Sequence, residues 1–171
     1  MMKLILVSDN HSEAGILHNI YEKHDDADAY FHLGDSEFTY NDTELSLFHR
    51  VKGNMDFYPE FPENDILTLQ DIRIFYTHGH RTNVNQGREL LAQQARENDA
   101  IFAFYGHTHV ARYEFINGVH VINPGSISQS RSTEEETYAE IKLEEGEGTL
   151  NFRNRQHDIL STVPFKYKYK R

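Results

Sequence analysis

The 171-residue chain contains no cysteine, no tryptophan and only 4 prolines. Without cysteine there is no disulfide framework, no thiolate zinc or iron–sulfur site and no catalytic thiol. Long apolar runs are missing too, and the longest falls far short of the ~18 residues a membrane span needs. The run at residues 4–7 is too short for a secretory signal core and no small-residue cleavage site follows it, so the expected location is cytoplasmic. Positive charge is the minority sign, with 17 Lys and Arg against 27 Asp and Glu and a formal net charge of −10. That balance argues against general nucleic-acid binding, which rests on neutralising phosphates. A phosphate-bearing substrate stays admissible where bound cations supply the positive charge.

No repeat, low-complexity stretch or Pro/Gly-rich linker interrupts the chain. The expectation is one domain over residues 1–171, with a tail from about residue 163 that is an edge strand or a frayed end. The first half alternates strand-like and helix-like segments. Strands are expected at residues 4–7, 29–33, 47–51, 66–69, 72–76 and 101–105, with a tight turn at Gln70 and Asp71. Helices are expected from a cap at Ser12 to about His24, and from a cap at Asn83 to about Asn98 with Leu90, Leu91 and Ala95 as its apolar stripe. Beyond residue 110 the pattern changes to hairpins. Residues 112–116 and 119–122 flank Asn117-Gly118, the strongest short signal for a type I′ turn. Residues 138–143 and 149–153 flank a turn at Gly146–Gly148. The reading is α/β, with two packed sheets covered by helices.

The chemistry lies at the strand ends. The first run is followed by Asp9 and His11, the second by Gly34-Asp35, and the third by Gly53-Asn54-Met55-Asp56. The run at 72–76 leads to His78-Gly79-His80, and that at 101–105 to Gly106-His107-Thr108-His109. Open α/β sheets place their sites outside the carboxyl ends of strands, so five such groups on one sheet would share a rim. Each group alone is commonplace; a Gly-His-x-His, however, is expected only roughly 0.04 times by chance in such a chain. Imidazoles and carboxylates without thiolates suit Mn, Fe, Zn, Co or Ni rather than a structural zinc. Seven or eight candidates are too many for one ion and suit two that share a carboxylate. Two ions ~3.5–4 Å apart form a clamp for in-line phosphoryl transfer, with hydroxide generated near neutral pH as nucleophile.

In the order Asp9-x-His11, Gly34-Asp35, Gly53-Asn54, His78-Gly79-His80 and Gly106-His107-x-His109, the sequence resembles the calcineurin-like metallophosphoesterases. The resemblance runs from residue 3 to about 126 and includes Asn123-Pro124-Gly125-Ser126. The small size, and Asp56 where larger members carry a histidine, are similar to the YfcE-type phosphodiesterases. The resemblance implies a four-layer α/β/β/α sandwich and two divalent ions, with Mn2+ preferred and Ni2+, Zn2+, Fe2+, Co2+ or Mg2+ as substitutes. It implies one ion on Asp9, His11, bridging Asp35 and His109. The other would sit on Asp35, Asn54 through its amide oxygen, His78 and His107. His80 would lie behind these ligands. Asp56 could protonate a leaving group only with a raised pKa, which directs the expectation to diesters with good leaving groups.

The implied activity is therefore hydrolysis of a small phosphate diester, with Asp35, Asn54, Asp56 and His80 as the catalytic candidates. A phosphomonoesterase using the same site is the alternative within the class. From another class comes a metal-binding interaction scaffold, because a eukaryotic trafficking-coat subunit resembles this small fold with part of its ligand set lost. No membrane partner is expected, and a homo-oligomer is left open. Tyr40, Phe57, Tyr58 and Phe61 follow the ligands and are candidate walls of a substrate cleft. His18, His24, His32, His49, His120 and His157 have no partner pattern and read as surface or internally satisfied histidines. The run Glu134-Glu135-Glu136 reads as solvated surface.

Overall fold

The apolar residues of the first strands need cover on both faces, and the chain supplies it with two sheets and two helices. The computed structural model describes residues 1–130 and 135–168. In chain order the elements are β1 (Met2–Val7), α1 (Ile16–Lys23), β2 (Ala29–His32), β3 (His49–Arg50), β4 (Asn64–Leu69), β5 (Ile72–Thr77), α2 (Glu89–Glu97), β6 (Phe102–Phe104), β7 (Arg112–Ile116), β8 (Val119–Asn123), β9 (Thr137–Glu144), β10 (Glu147–Asn154) and β11 (Ile159–Lys166). One sheet has the order β11-β10-β9-β1-β2-β3 and the other β4-β5-β6-β8-β7. Both are mixed. The pairs β1/β2, β2/β3, β5/β6 and β6/β8 are parallel. The outer hairpins are antiparallel.

The core lies between the sheets, where Leu4, Leu6 and Phe31 meet Ile74, Tyr76, Phe102 and Phe104. Phe31 makes edge-on contacts to Tyr76 and Phe104 at 5.1 and 5.2 Å, a geometry aromatic rings prefer. On the outer face of the first sheet, Ile16, Leu17 and Ile20 of α1 cover Ile5, Val7, Tyr30 and Tyr138. On the outer face of the second, Leu91, Ala92 and Ala95 of α2 cover Phe75, Ala103, Tyr105 and Val121. The result is the four-layer α/β/β/α sandwich. No helix among the described residues is long and apolar enough to cross a membrane.

The strands that lead to the candidate ligands do not share a sheet. β1, β2 and β3 belong to one and β5 and β6 to the other, and their carboxyl ends meet because the sheets pack face to face. Both helices start later than their cap-like residues suggest. Ser12 and Asn83 adopt left-handed backbone with φ of 65° and 56° and serve loops instead. Leu90 is 49% exposed and leaves the apolar stripe to Leu91, Ala92 and Ala95. Three hairpin turns, Gln70-Asp71, Asn117-Gly118 and Glu145-Gly146, place both central residues at positive φ, as type I′ turns require. The last of these is one residue tighter than the expected Gly146–Gly148. The tail supplies β11, an edge strand; residues 169–171 and Glu134 lie outside the described residues.

Candidate metal centre

β1 runs apolar to Val7 and ends at Ser8 and Asp9, both buried. The Asp9 carboxylate uses Oδ2 to accept from Ser8 Oγ at 2.5 Å and from the His107 amide at 3.2 Å. Its Oδ1 is buried with no hydrogen-bond partner, a costly state for a carboxylate oxygen unless a cation meets it. Three imidazole nitrogens face that atom: His109 Nε2 at 3.2 Å, His11 Nε2 at 3.8 Å and His78 Nε2 at 3.9 Å.

The far side of each ring is held by an acceptor, which leaves Nε2 to face the carboxylates. His11 donates from Nδ1 to Glu37 Oε2 at 2.8 Å, and His109 donates from Nδ1 to the Gln129 carbonyl at 2.6 Å. His78 donates from Nδ1 to the Leu33 carbonyl at 2.7 Å. A neutral ring that donates at one nitrogen is an acceptor at the other. Thus His11 Nε2 and His109 Nε2 stand 3.3 Å apart as two acceptors beside a carboxylate oxygen. A cation satisfies all three at once, and metal-bound histidines are oriented by such outer hydrogen bonds.

A second group adjoins the first. Asp35 Oδ2 is 3.2 Å from His78 Nε2, and Asp35 Oδ1 accepts from the Met55 amide at 2.8 Å. Asn54 Oδ1 lies 3.0 Å from His78 Nε2 and 3.1 Å from His107 Nδ1. Two overlapping metal-ligand clusters result, Asp9/His11/His109 and Asp9/Asp35/His78. Asp9 is common to both groups, and Asp35 joins the second beside His78. Burial works against ionisation of Asp35, but His78 and the Met55 amide outweigh it and hold the carboxyl well below its usual range. Burial likewise opposes a charged His78, yet Asp35 and Asp9 raise it to about 9. A field that draws a proton this strongly offers the same attraction to a cation. His107 is lowered, first by burial and then by His78.

Asp56 has a different part from the one its sequence position suggests. It is 3% exposed, and its two oxygens accept from the amides of Asp35, Gly53 and Glu37, each at 2.8 Å. Burial raises its pKa against these bonds, and the carboxyl ties the two loops together. His80 borders the site, with its ring 5.5 Å from His78 and 6.2 Å from His107. Its Nδ1 is buried without a hydrogen-bond partner and its Nε2 lies 3.8 Å from Glu63. Of the candidate cleft walls, Phe61 is buried and Tyr40 packs on it at 5.2 Å, whereas Phe57 and Tyr58 are exposed.

Other residues support the site, and of these Glu37 and Gln129 carried no signal of their own in the sequence. Glu37 and Gln129 act through His11 and His109. His32 is buried, holding Asn10 from one nitrogen at 2.8 Å and accepting the Gly34 amide on the other at 3.1 Å. Asn123 donates to the Gly106 carbonyl at 3.0 Å and Ser126 Oγ to the Asp9 carbonyl at 2.8 Å, so the Asn123–Ser126 turn shapes the ligand loops. His24 and His120 are buried, and exposed His18 places Nε2 2.9 Å from Glu22 Oε1.

The profile of the calcineurin-like phosphoesterase superfamily domain matches residues 2–146. The chain is 34% identical over 152 residues to a protein of Bacillus subtilis (strain 168) named probable metallophosphoesterase YsnB, covering 88% of this chain and 90% of that one. A crystal structure from Streptococcus pneumoniae TIGR4, described as a conserved uncharacterised protein and predicted phosphoesterase, superposes with a TM-score of 0.92 at 32% identity, over 96% and 97% of the two chains. At lower identity the fold alone is shared. It is shared with the phosphoesterase YfcE of E. coli (TM-score 0.65, 21% identity, 95% and 98% covered). It is also shared with zinc-bound Vps29 of Entamoeba histolytica (0.76, 20%, 98% and 100%).

Proposed function

Since the chain belongs to the calcineurin-like phosphoesterase superfamily and is a phosphoric ester hydrolase, we propose that it is a phosphodiesterase working with two divalent cations. The observation that supports this most is the meeting of three acceptors, Asp9 Oδ1, His11 Nε2 and His109 Nε2, beside a second cluster of Asp35, Asn54, His78 and His107. The nitrogen and oxygen set, free of sulfur, fits Mn2+, with Ni2+, Zn2+, Fe2+, Co2+ or Mg2+ as substitutes. When bound, the cations would supply an activated solvent nucleophile and neutralise phosphoryl oxygens. Asp9 and Asp35 balance that charge. His107 would hold the second cation together with Asp35, Asn54 and His78. His80 borders His78 and His107.

The preference for diesters rests on what the 53–57 loop lacks. Asp56 spends both oxygens on backbone amides, so this loop offers no acid to the leaving group. Esters of acidic alcohols depart without such help. The test is to strip the protein with chelator, restore Mn2+, and compare bis-p-nitrophenyl phosphate with p-nitrophenyl phosphate. Metal-dependent turnover with the diester faster is the expected result. A faster monoester would make the protein a phosphomonoesterase. Bound metal with turnover of neither would favour the interaction scaffold, a reading to which the Vps29 fold likeness lends weight.

A further inference from the structure

The turn between β10 and β11 lies beyond the residues matched by the family profile, which end at 146. Arg155 extends from it to the ligand loops. One nitrogen, Nη1, donates to Glu13 Oε1 at 2.8 Å and to the Ile127 carbonyl at 2.7 Å. The other, Nη2, donates to Glu13 Oε2. Ser128 Oγ donates to the same Glu13 Oε1 at 2.7 Å. Glu13 in turn closes the loop that carries Asp9 and His11: its amide donates to the Asn10 carbonyl at 3.0 Å, and Asn10 Nδ2 donates to the Glu13 carbonyl at 3.2 Å. The next residue along the gripped segment is Gln129, whose carbonyl orients His109.

We infer that the Glu13–Arg155 pair is a positioning device for the His11/His109 side of the metal centre. It fixes two successive residues, Ile127 and Ser128, against the Asp9–Glu13 loop. The Gln129 carbonyl is thereby set in place for His109 Nδ1, and His109 Nε2 is turned toward Asp9 and His11. The pair is not primarily a stabilising one. Its side chains are 32% and 37% exposed, and ion pairs so open to water contribute little to folding. The bidentate grip on a carboxylate together with a carbonyl is a task for arginine's fixed fork, which lysine reproduces only in part. The inference rests on the metal-centre reading above.

The test uses the full chain, stripped with chelator and titrated with Co2+ by calorimetry and visible absorption, alongside the melting midpoint of the metal-free protein. Arg155→Ala is expected to weaken binding of one Co2+ by ~10-fold or more, the scale on which outer hydrogen bonds tune a metal site. Its spectrum should change while any other ion's affinity and the metal-free midpoint hold. Arg155→Lys should recover part of the loss. The near-isosteric Glu13→Gln, which keeps the loop's shape, should reproduce it if Arg155→Ala folds poorly. Unchanged Co2+ affinity in both variants would overturn the inference, as would a loss shared by every ion together with a fall in the metal-free midpoint. Wild-type protein that binds no Co2+ would defeat the metal reading itself and leave the pair nothing to position.

Discussion

Asp9, His11, Asp35, His107 and His109 all hold positive φ, between 43° and 69°. For side chains other than glycine this region costs of order 1 kcal/mol or more at each position, and it persists where the surroundings dictate it. Here the surroundings are acceptors packed against one another, so a bound cation should offset both the strain and the lone-pair crowding. Loading with Mn2+ is therefore expected to raise the melting midpoint of the stripped protein, as any ligand selective for the folded state does. Asp35→Asn should abolish much of that rise. The amide still accepts the Met55 N–H at Oδ1, so the loop keeps its shape, but the charge beside His78 is gone. Turnover should fall by ~100-fold or more, at least the loss seen when lesser partners of a metal site are removed. Metal-dependent activity within a few-fold of wild type would contradict the assignment of Asp35.

At the scale of elements, the site is a set of loops leaving strands, and their spacing is governed by close approaches. A Cβ added at Gly53 would lie 2.1 Å from Asp35 Oδ1 and 2.4 Å from the Asp35 nitrogen. Asp56 pins both loops, so neither can retreat without breaking its three amide bonds. Gly53→Ala should displace Asp35 and cost ~1–3 kcal/mol of stability, the usual toll of overpacking. Gly118→Ala, with positive φ but open space around it, should cost about 1 kcal/mol and leave metal affinity unchanged. Urea unfolding and Co2+ titration of the two variants separate these outcomes; equal metal affinity in both would refute the close-approach argument. The same geometry explains what could be read in advance. Apolar strands ending in Asp, Asn or His announced the ligand loops, and Asn117-Gly118 announced its hairpin. Ser12 and Asn83 misled about helix starts because loops, not helices, use them. Asp56 looked like a substrate-facing group because sequence shows adjacency to Asn54 but not the direction of a carboxylate. Arg155 was invisible because its partner Glu13 is 142 residues away.

At the scale of the whole molecule, each sheet carries a histidine buried away from the site. His24 follows α1 and reaches Tyr138 at 2.7 Å on the first sheet. His120 lies in β8 among Phe102, Phe115 and Phe165 and meets the Tyr113 hydroxyl at 2.8 Å. Burial pushes each down to about 4. Unfolded, each would take up its proton near pH 6.5. Between those values these two sites bind more protons in the unfolded chain than in the folded one, so their contribution to stability is full above pH 6.5 and is lost as the pH falls toward 4. At pH 5 the loss is about 1–2 kcal/mol for each histidine. Acidification also brings the charge of −10 closer to zero, which relieves self-repulsion and opposes the loss. A variant separates the two effects, since His120→Phe keeps the aromatic packing and removes one titrating group without changing the carboxylates. Urea unfolding of metal-free protein at pH 7.5 and pH 5 should show a smaller decline for His120→Phe than for wild type, by about one histidine's share. Equal declines would mean that His120 takes no part in the acid sensitivity of the fold.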